Sequence, residues 1–189
     1  MFRIFTYLLL INLSIYGAKA QSKISVQKLQ KIPLKALNGK TDHIMAGKAT
    51  AFIFLSPECP LCQNYVAELN ALKLKYPNVE ILGLIPGNAY KLKEISAFKD
   101  EYKVGFPLLV DDLKLLTSAL NATTTPEVIL IDKEGTLKYR GLIDNWAESL
   151  GVKRKVITSH YLNDALANLT KPNYPVKITK PVGCLINDK

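Results

Sequence analysis

Ala49-Thr50-Ala51-Phe52-Ile53-Phe54-Leu55 runs straight into Ser56-Pro57-Glu58-Cys59-Pro60-Leu61-Cys62. The first half is a near-continuous apolar run, the pattern of a strand buried on both faces. A helical period begins near Pro60, with Leu61, Tyr65, Val66, Leu69, Leu72 and Tyr76 on one face, and stops before Pro77. The junction places Cys59 at a helix N-terminus, where unsatisfied N–H groups and the positive end of the dipole favour thiolate over thiol. Cys59 is therefore the expected nucleophile. Two intervening residues keep Cys62 within one helical turn, close enough for a short disulfide to close, which makes it the expected resolving thiol. Pro60 suits a first turn, since the N–H it lacks has no partner within the helix.

Taken alone, C-x-x-C fits a redox pair, half of a zinc site or two buried small apolar residues. A four-ligand zinc site needs two more Cys or His in pattern, and the chain offers only Cys184, His43 and His160, scattered. Strand before and helix after favour the redox pair, and no metal ligand is assigned.

Residues 1–20 read as a secretory signal: Arg3 in a short basic start, an apolar stretch from Phe5 to about Tyr16, then Ala18-Lys19-Ala20 before Gln21. The stretch is short for a bilayer span, so cleavage and export are expected, with no stable membrane span afterwards. The expected location is the periplasm or cell envelope. Three cysteines are too few to staple a fold in a disulfide-permissive compartment. The remaining length suits one domain with a full core. Net charge is +9, with the lysines and arginines spread along the chain rather than interleaved with aromatics. A solvated basic surface is expected, not a nucleic-acid partner.

Residues 21–48 are polar with isolated apolar positions around an Asn38-Gly39 turn, and read as an extended, hairpin-like N-terminal segment. Strand patterns at 79–85 and 106–110 alternate with helical periods at 61–76 and 92–102, and Asp111-Asp112 can cap a short helix through Leu120. Residues 128–131 and 136–142 form a hairpin around Lys133-Glu134-Gly135, residues 144–157 read as a surface loop, and residues 159–170 as a last helix. The tail, residues 172–189, holds three prolines and reads as extended. The expected units are a leader at 1–20, an N-terminal segment at 21–48, a core at 49–171 and a tail at 172–189.

With Cys59-Pro60-Leu61-Cys62 at the first core helix and Thr124-Thr125-Pro126-Glu127 leading into a hairpin, the chain resembles the thioredoxin-fold family over residues 30–170. The closer likeness is to exported bacterial thiol-disulfide oxidoreductases of the redoxin and cytochrome-maturation type. The resemblance implies an α/β thioredoxin-like fold with a mixed central sheet flanked by helices, to which this chain adds the N-terminal extension and the extended C-terminal tail. It also implies that Thr125 pairs with substrate main chain and that Pro126 is cis and packs beside the sulfurs. The activity implied is disulfide exchange with a thiol- or disulfide-bearing protein, with a redox protein as electron donor or acceptor and no cofactor.

Three positions depart from that family. Glu58 stands where thioredoxins carry Trp, and its charge disfavours a neighbouring thiolate. Ile53 replaces a buried acid, which leaves Glu58 and Glu127 as candidate proton acceptors, each also readable as a solvated carboxylate. Cys184 lies beyond the usual core, as a packed thiol, a third redox partner or a soft-metal ligand. An alternative function is copper binding or delivery through Cys59 and Cys62 with His160 or Cys184, whereas His43 and His160 otherwise read as surface or capping residues. A peroxiredoxin-like peroxidase fits less well. Ser56 occupies the hydroxyl position of the P-x-x-x-T-x-x-C motif, but Phe52 stands at its proline.

Overall fold

A computed structural model describes residues 23–186; the expected leader at 1–20 lies outside the described residues. The chain enters through a short helix α1 (Val26–Gln30), where an extended segment was expected. Ser25 caps it by accepting from the Lys28 amide, and its single buried residue, Leu29, is too little to show a helical period in sequence. Strands β1 (Leu34–Ala36) and β2 (Thr41–Asp42) then form the hairpin signalled by Asn38-Gly39. Gly39 takes φ +82°, a conformation that costs glycine nothing, and Asn38 Oδ1 accepts from Lys40 N at 3.0 Å.

β3 (Ala49–Phe54), α2 (Pro60–Lys75), β4 (Val79–Pro86), α3 (Leu92–Glu101), β5 (Leu108–Asp111) and α4 (Leu115–Ala119) follow in the expected alternation. Asp111 supports α4 from inside the core. It is 1% exposed, and its Oδ2 accepts from the Thr117 amide and hydroxyl, both at 2.7 Å. The residue at the N-cap itself is Lys114, not either aspartate. A short β6 (Thr124–Thr125) precedes the hairpin β7 (Glu127–Ile131) and β8 (Leu137–Gly141).

The region expected as a surface loop is a small antiparallel ribbon, β9 (Ala147–Ser149) with β10 (Val152–Lys153). It is tied down by Asp144, whose Oδ1 accepts from the Tyr65 hydroxyl of α2 at 2.6 Å and from Trp146 N at 2.8 Å. The Trp146 ring meets the Tyr65 ring edge-on at 5.5 Å. After α5 (Tyr161–Ala167) the tail adds β11 (Lys177–Ile178), parallel to β8, and β12 (Cys184–Leu185), antiparallel to β6.

The main sheet has eight strands in the order β11-β8-β7-β3-β4-β5-β1-β2. β3, β4 and β5 run parallel, whereas β7 is antiparallel to β3, and β1 to β5. The sheet is therefore mixed, and this is a thioredoxin-like fold. Alternation along β3 builds two cores. Ala51, Ile53 and Leu55 face α2, α3 and α5, through residues such as Val66, Leu69, Phe98 and Leu166. Phe52 and Phe54 face the other side, with Leu29 of α1, Leu116 of α4 and Ile129. Both faces of β3 are buried, as its apolar run requires. Among the described residues no helix is long and apolar enough to cross a membrane.

Because Phe52 is fully buried, truncating Phe52→Ala is expected to cost about 3–5 kcal/mol of unfolding free energy. The exposed Leu185→Ala is expected to stay within about 0.5 kcal/mol. Urea denaturation of the two variants checks the contrast.

Candidate active site

β3, an interior strand of the sheet, ends at Phe54, and residues 55–59 carry the chain to the start of α2 at Pro60. Cys59 is the N-cap residue, in extended backbone (φ −80°, ψ 114°), with Pro60 as the first helical residue. The Cys59 amide donates to Ser56 O and its carbonyl accepts from Gln63 N, both at 3.1 Å, so the turn closes around the sulfur-bearing residue. No acidic side chain lies in the first turn of this 16-residue helix, and its positive end faces the sulfur. Cys62, one turn on, is fully buried, and its Sγ accepts from Ser56 N at 3.4 Å.

The second sequence motif folds against these sulfurs. Thr125–Pro126 is a cis peptide, as the resemblance implies, and the Thr125 carbonyl accepts from Cys59 Sγ at 3.4 Å. Glu127 holds the loop. It is 2% exposed, and its Oε2 accepts from Thr123 N (2.8 Å), Thr124 N (3.2 Å) and Thr123 Oγ1 (3.3 Å). Arg140 approaches its other oxygen at 3.6 Å and also donates to the carbonyls of Asn121 and Leu120. The hydrogen bonds of Glu127 are thus committed to the shape of the loop rather than to a sulfur. Glu58 is exposed and accepts from the Tyr90 hydroxyl at 3.4 Å, and that hydroxyl lies 2.8 Å from Ser56 Oγ.

Cys184, left open in the sequence, joins the pair. Its thiol points at Cys59 Sγ across 3.1 Å, and all three cysteines are free thiols. Their environments separate them. Hydrogen bonding from the Cys62 thiol, together with the amides of Cys62 and Leu61 and the Cys184 thiol, outweighs burial and lowers Cys59 from 9.0 to about 5. Burial pushes Cys62 well above the ordinary thiol range, and the hydrogen bond and charge of Cys59 add to it. Burial, with the same contribution from Cys59, raises Cys184 to about 11. At neutral pH the cluster therefore holds one thiolate and two thiols, the state in which the Cys59 sulfur can attack a disulfide and a neighbour can later be deprotonated to displace it.

An open groove of about 630 Å³ passes the sulfurs, lined by Ser56, Glu58, Cys59, Tyr90, Thr125 and Cys184 among others. The histidines are elsewhere: His43 Nδ1 lies 3.2 Å from the Ile32 carbonyl, and His160 is the N-cap residue of α5. Among the described residues no group of three or more His, Cys, Asp or Glu is arranged to hold a metal ion. The sequence reading missed Tyr90 and named Glu127 only as a candidate proton acceptor. Tyr90 sits 34 positions from Ser56 in a loop with no motif. Glu127 was visible beside Pro126, but its role depends on Arg140 across the β7–β8 hairpin.

The sequence model of the AhpC/TSA family matches residues 21–140. A thioredoxin-like protein of Bacillus subtilis, YneN, is 24% identical over 132 residues, which cover 66% of this chain and 77% of the relative. An uncharacterised conserved protein from Geobacillus kaustophilus superposes with a TM-score of 0.72 at 23% identity, covering 84% of this chain and 88% of that one. A secreted Mycobacterium tuberculosis disulfide oxidoreductase homologous to Escherichia coli DsbE gives a TM-score of 0.57 at 19% identity, covering 75% and 97%.

A thiolate absorbance titration of the reduced protein is expected to show a step near pH 5 that Cys59→Ser lacks. The lowered value also links to stability. Between about 5 and 9.0 the unfolded chain binds the Cys59 proton and the folded chain does not, so the reduced protein gains stability over Cys59→Ser as pH rises through that window and loses it on acidification. Cys62 and Cys184, both raised, act only above 9.0 and leave the window clear.

Proposed function

The chain belongs to the AhpC/TSA family, and on that footing we propose that it is an exported thiol-disulfide oxidoreductase that exchanges disulfides with protein substrates through the Cys59–Cys62 dithiol. The observation that carries the proposal is the pairing of a lowered Cys59 thiol at the N-terminus of α2 with a raised, buried Cys62 thiol one turn later, beside a cis-proline loop. Cys59 thiolate attacks one sulfur of a substrate disulfide, forming a mixed disulfide and releasing the other sulfur as a thiolate. Cys62 then gives up its proton and attacks Cys59 Sγ. The substrate leaves reduced and Cys59–Cys62 is left oxidised. The cycle closes when a partner redox protein takes up that disulfide, and the same steps run in reverse when the partner is the oxidant. Thr125 offers main chain to an extended substrate, and Pro126, with no N–H, leaves the sulfur face without a competing donor.

Location in the cell envelope, after removal of a leader at 1–20, goes with this reading, and the similarity to a secreted oxidoreductase supports it. The division that goes with it is an N-terminal segment at 21–48, a thioredoxin-like core at 49–171 and a tail at 172–189, with β1, β2 and β11 of the outer two extending the core sheet. Peroxide reduction is less well supported. The position of the motif's proline is Phe52, in the middle of β3 and paired with both Leu82 and Ile129, a place where proline would break the ladder.

The test is turnover of a fluorogenic disulfide peptide with a thiol reductant, in buffer containing a metal chelator. Wild-type activity is expected to survive chelation, which opposes Cu(I) delivery. Cys59→Ser is expected to fall to background. Cys62→Ser is expected to react at Cys59 in a first turnover and then to turn over more slowly than wild type, because the Cys59–Cys62 disulfide cannot form. Activity that persists in Cys59→Ser contradicts the assignment.

A further inference from the structure

The tail is fastened onto the sulfur site. Thr179 crosses Gly141, where any Cβ would lie 2.2 Å from Thr179 Oγ1 and 2.3 Å from its carbonyl oxygen. Its hydroxyl accepts from Leu142 N and lies within reach of the Tyr139 hydroxyl, each at 2.8 Å. Gly183 then passes over the Thr125 carbonyl so closely that a Cβ would lie 2.1 Å from that oxygen. Beyond it β12 pairs antiparallel with β6, Cys184 opposite Thr125 and Leu185 opposite Thr124. Ile186 N donates to Thr123 O at 2.9 Å, and the Thr125 hydroxyl donates to Cys184 O at 3.4 Å. The main chain that the exchange mechanism offers to a substrate is thus already paired, and the residue opposite Thr125 is a cysteine whose sulfur lies 3.1 Å from Cys59.

Resting on the exchange reading of Cys59, we propose that residues 183–186 are a built-in substrate strand and that Cys184 is a third redox thiol, which closes a disulfide with Cys59 before Cys62 takes it over. The tail yields Thr125 to an incoming disulfide and returns once the mixed disulfide has formed. In the first step Cys59 thiolate displaces one thiolate from the external disulfide. Cys184 loses its proton to that leaving thiolate and attacks Cys59 Sγ. The second external thiolate is released and Cys59–Cys184 forms. The two protein thiols have lost two electrons and the external disulfide has gained them. Cys62 thiolate then attacks Cys59 Sγ and releases Cys184, which takes up the proton Cys62 lost. That last step is an isomerisation with no net redox change. A strand added to an open edge is held by main-chain hydrogen bonds and is selected by few side chains. The returning tail therefore expels a bound product whatever its sequence.

Oxidised glutathione is the probe, applied to the full-length Cys62→Ser protein, followed by alkylation and peptide mass mapping. The expected product is a Cys59–Cys184 linked peptide, with glutathione on Cys59 only a minor species. Adding Gly183→Val, which unseats the tail without removing a sulfur, is expected to lower the cross-link at least tenfold and leave glutathione on Cys59. Adding Cys184→Ser is expected to abolish the cross-link with the same accumulation of adduct. Glutathione that stays on Cys59 in Cys62→Ser while Cys184 remains alkylatable overturns the tail proposal and leaves Cys59 as the nucleophile. An undiminished cross-link in the Gly183→Val variant also overturns it, because strand pairing then does not present Cys184. A Cys59 that never reacts overturns this proposal and the exchange reading together.

Discussion

One negative charge has to be held on a sulfur that is 2% exposed. Burial alone protonates a thiol, so the fold has to supply donors in place of water. It does so by ending β3, a strand buried on both faces, just before the first turn of α2, so that free amides, the helix dipole and the Cys62 thiol converge on Cys59. The arrangement needs β3 fixed on both faces and α2 fixed along its length. The alternating cores on β3 provide the first, and the row from Leu61 to Leu72, with Tyr65 tied to Asp144, provides the second.

The loop that faces the sulfur is held by a different interaction. Thr123 and Thr124 present their amides to a single buried carboxylate, Glu127, whose charge is offset by Arg140. A buried acid with three hydrogen bonds and an ion pair is costly to disturb. The loop is thereby a rigid platform on which an extended chain can pair, and in this structure that chain is the protein's own tail. Two glycines, Gly141 and Gly183, let the tail approach the backbone at distances closed to any side chain. The same platform therefore serves the thiol chemistry and the strand that presents a third sulfur to it.

The central features were legible because they carry local patterns. A seven-residue apolar run names β3, the spacing of Leu61, Tyr65, Val66, Leu69 and Leu72 names α2, and Pro60 fixes their junction. The fold follows from those and from the alternation after them. The short elements α1 and the β9–β10 ribbon were not legible, because five residues or fewer hold too little periodicity to separate helix, strand and loop. Cys184 is a problem of another kind. Its meaning depends on pairing with Thr125, 59 positions away, and on contact with Cys59, 125 positions away. Only the sheet topology brings such residues together. Glu127 shows the same limit, since sequence gave its proximity to Pro126 but not the amides it accepts from.

The central claim is that Cys59 and Cys62 form one two-electron couple. Its most direct measurement is equilibration of the full chain in metal-free buffers of defined thiol-disulfide poise, with alkylation and mass mapping of every cysteine. The Cys59 and Cys62 thiols are expected to disappear together at a single midpoint, whose value gives the direction in which the protein moves electrons. A Cys62 that stays alkylatable at every poise, even where Cys59 is oxidised, contradicts the claim.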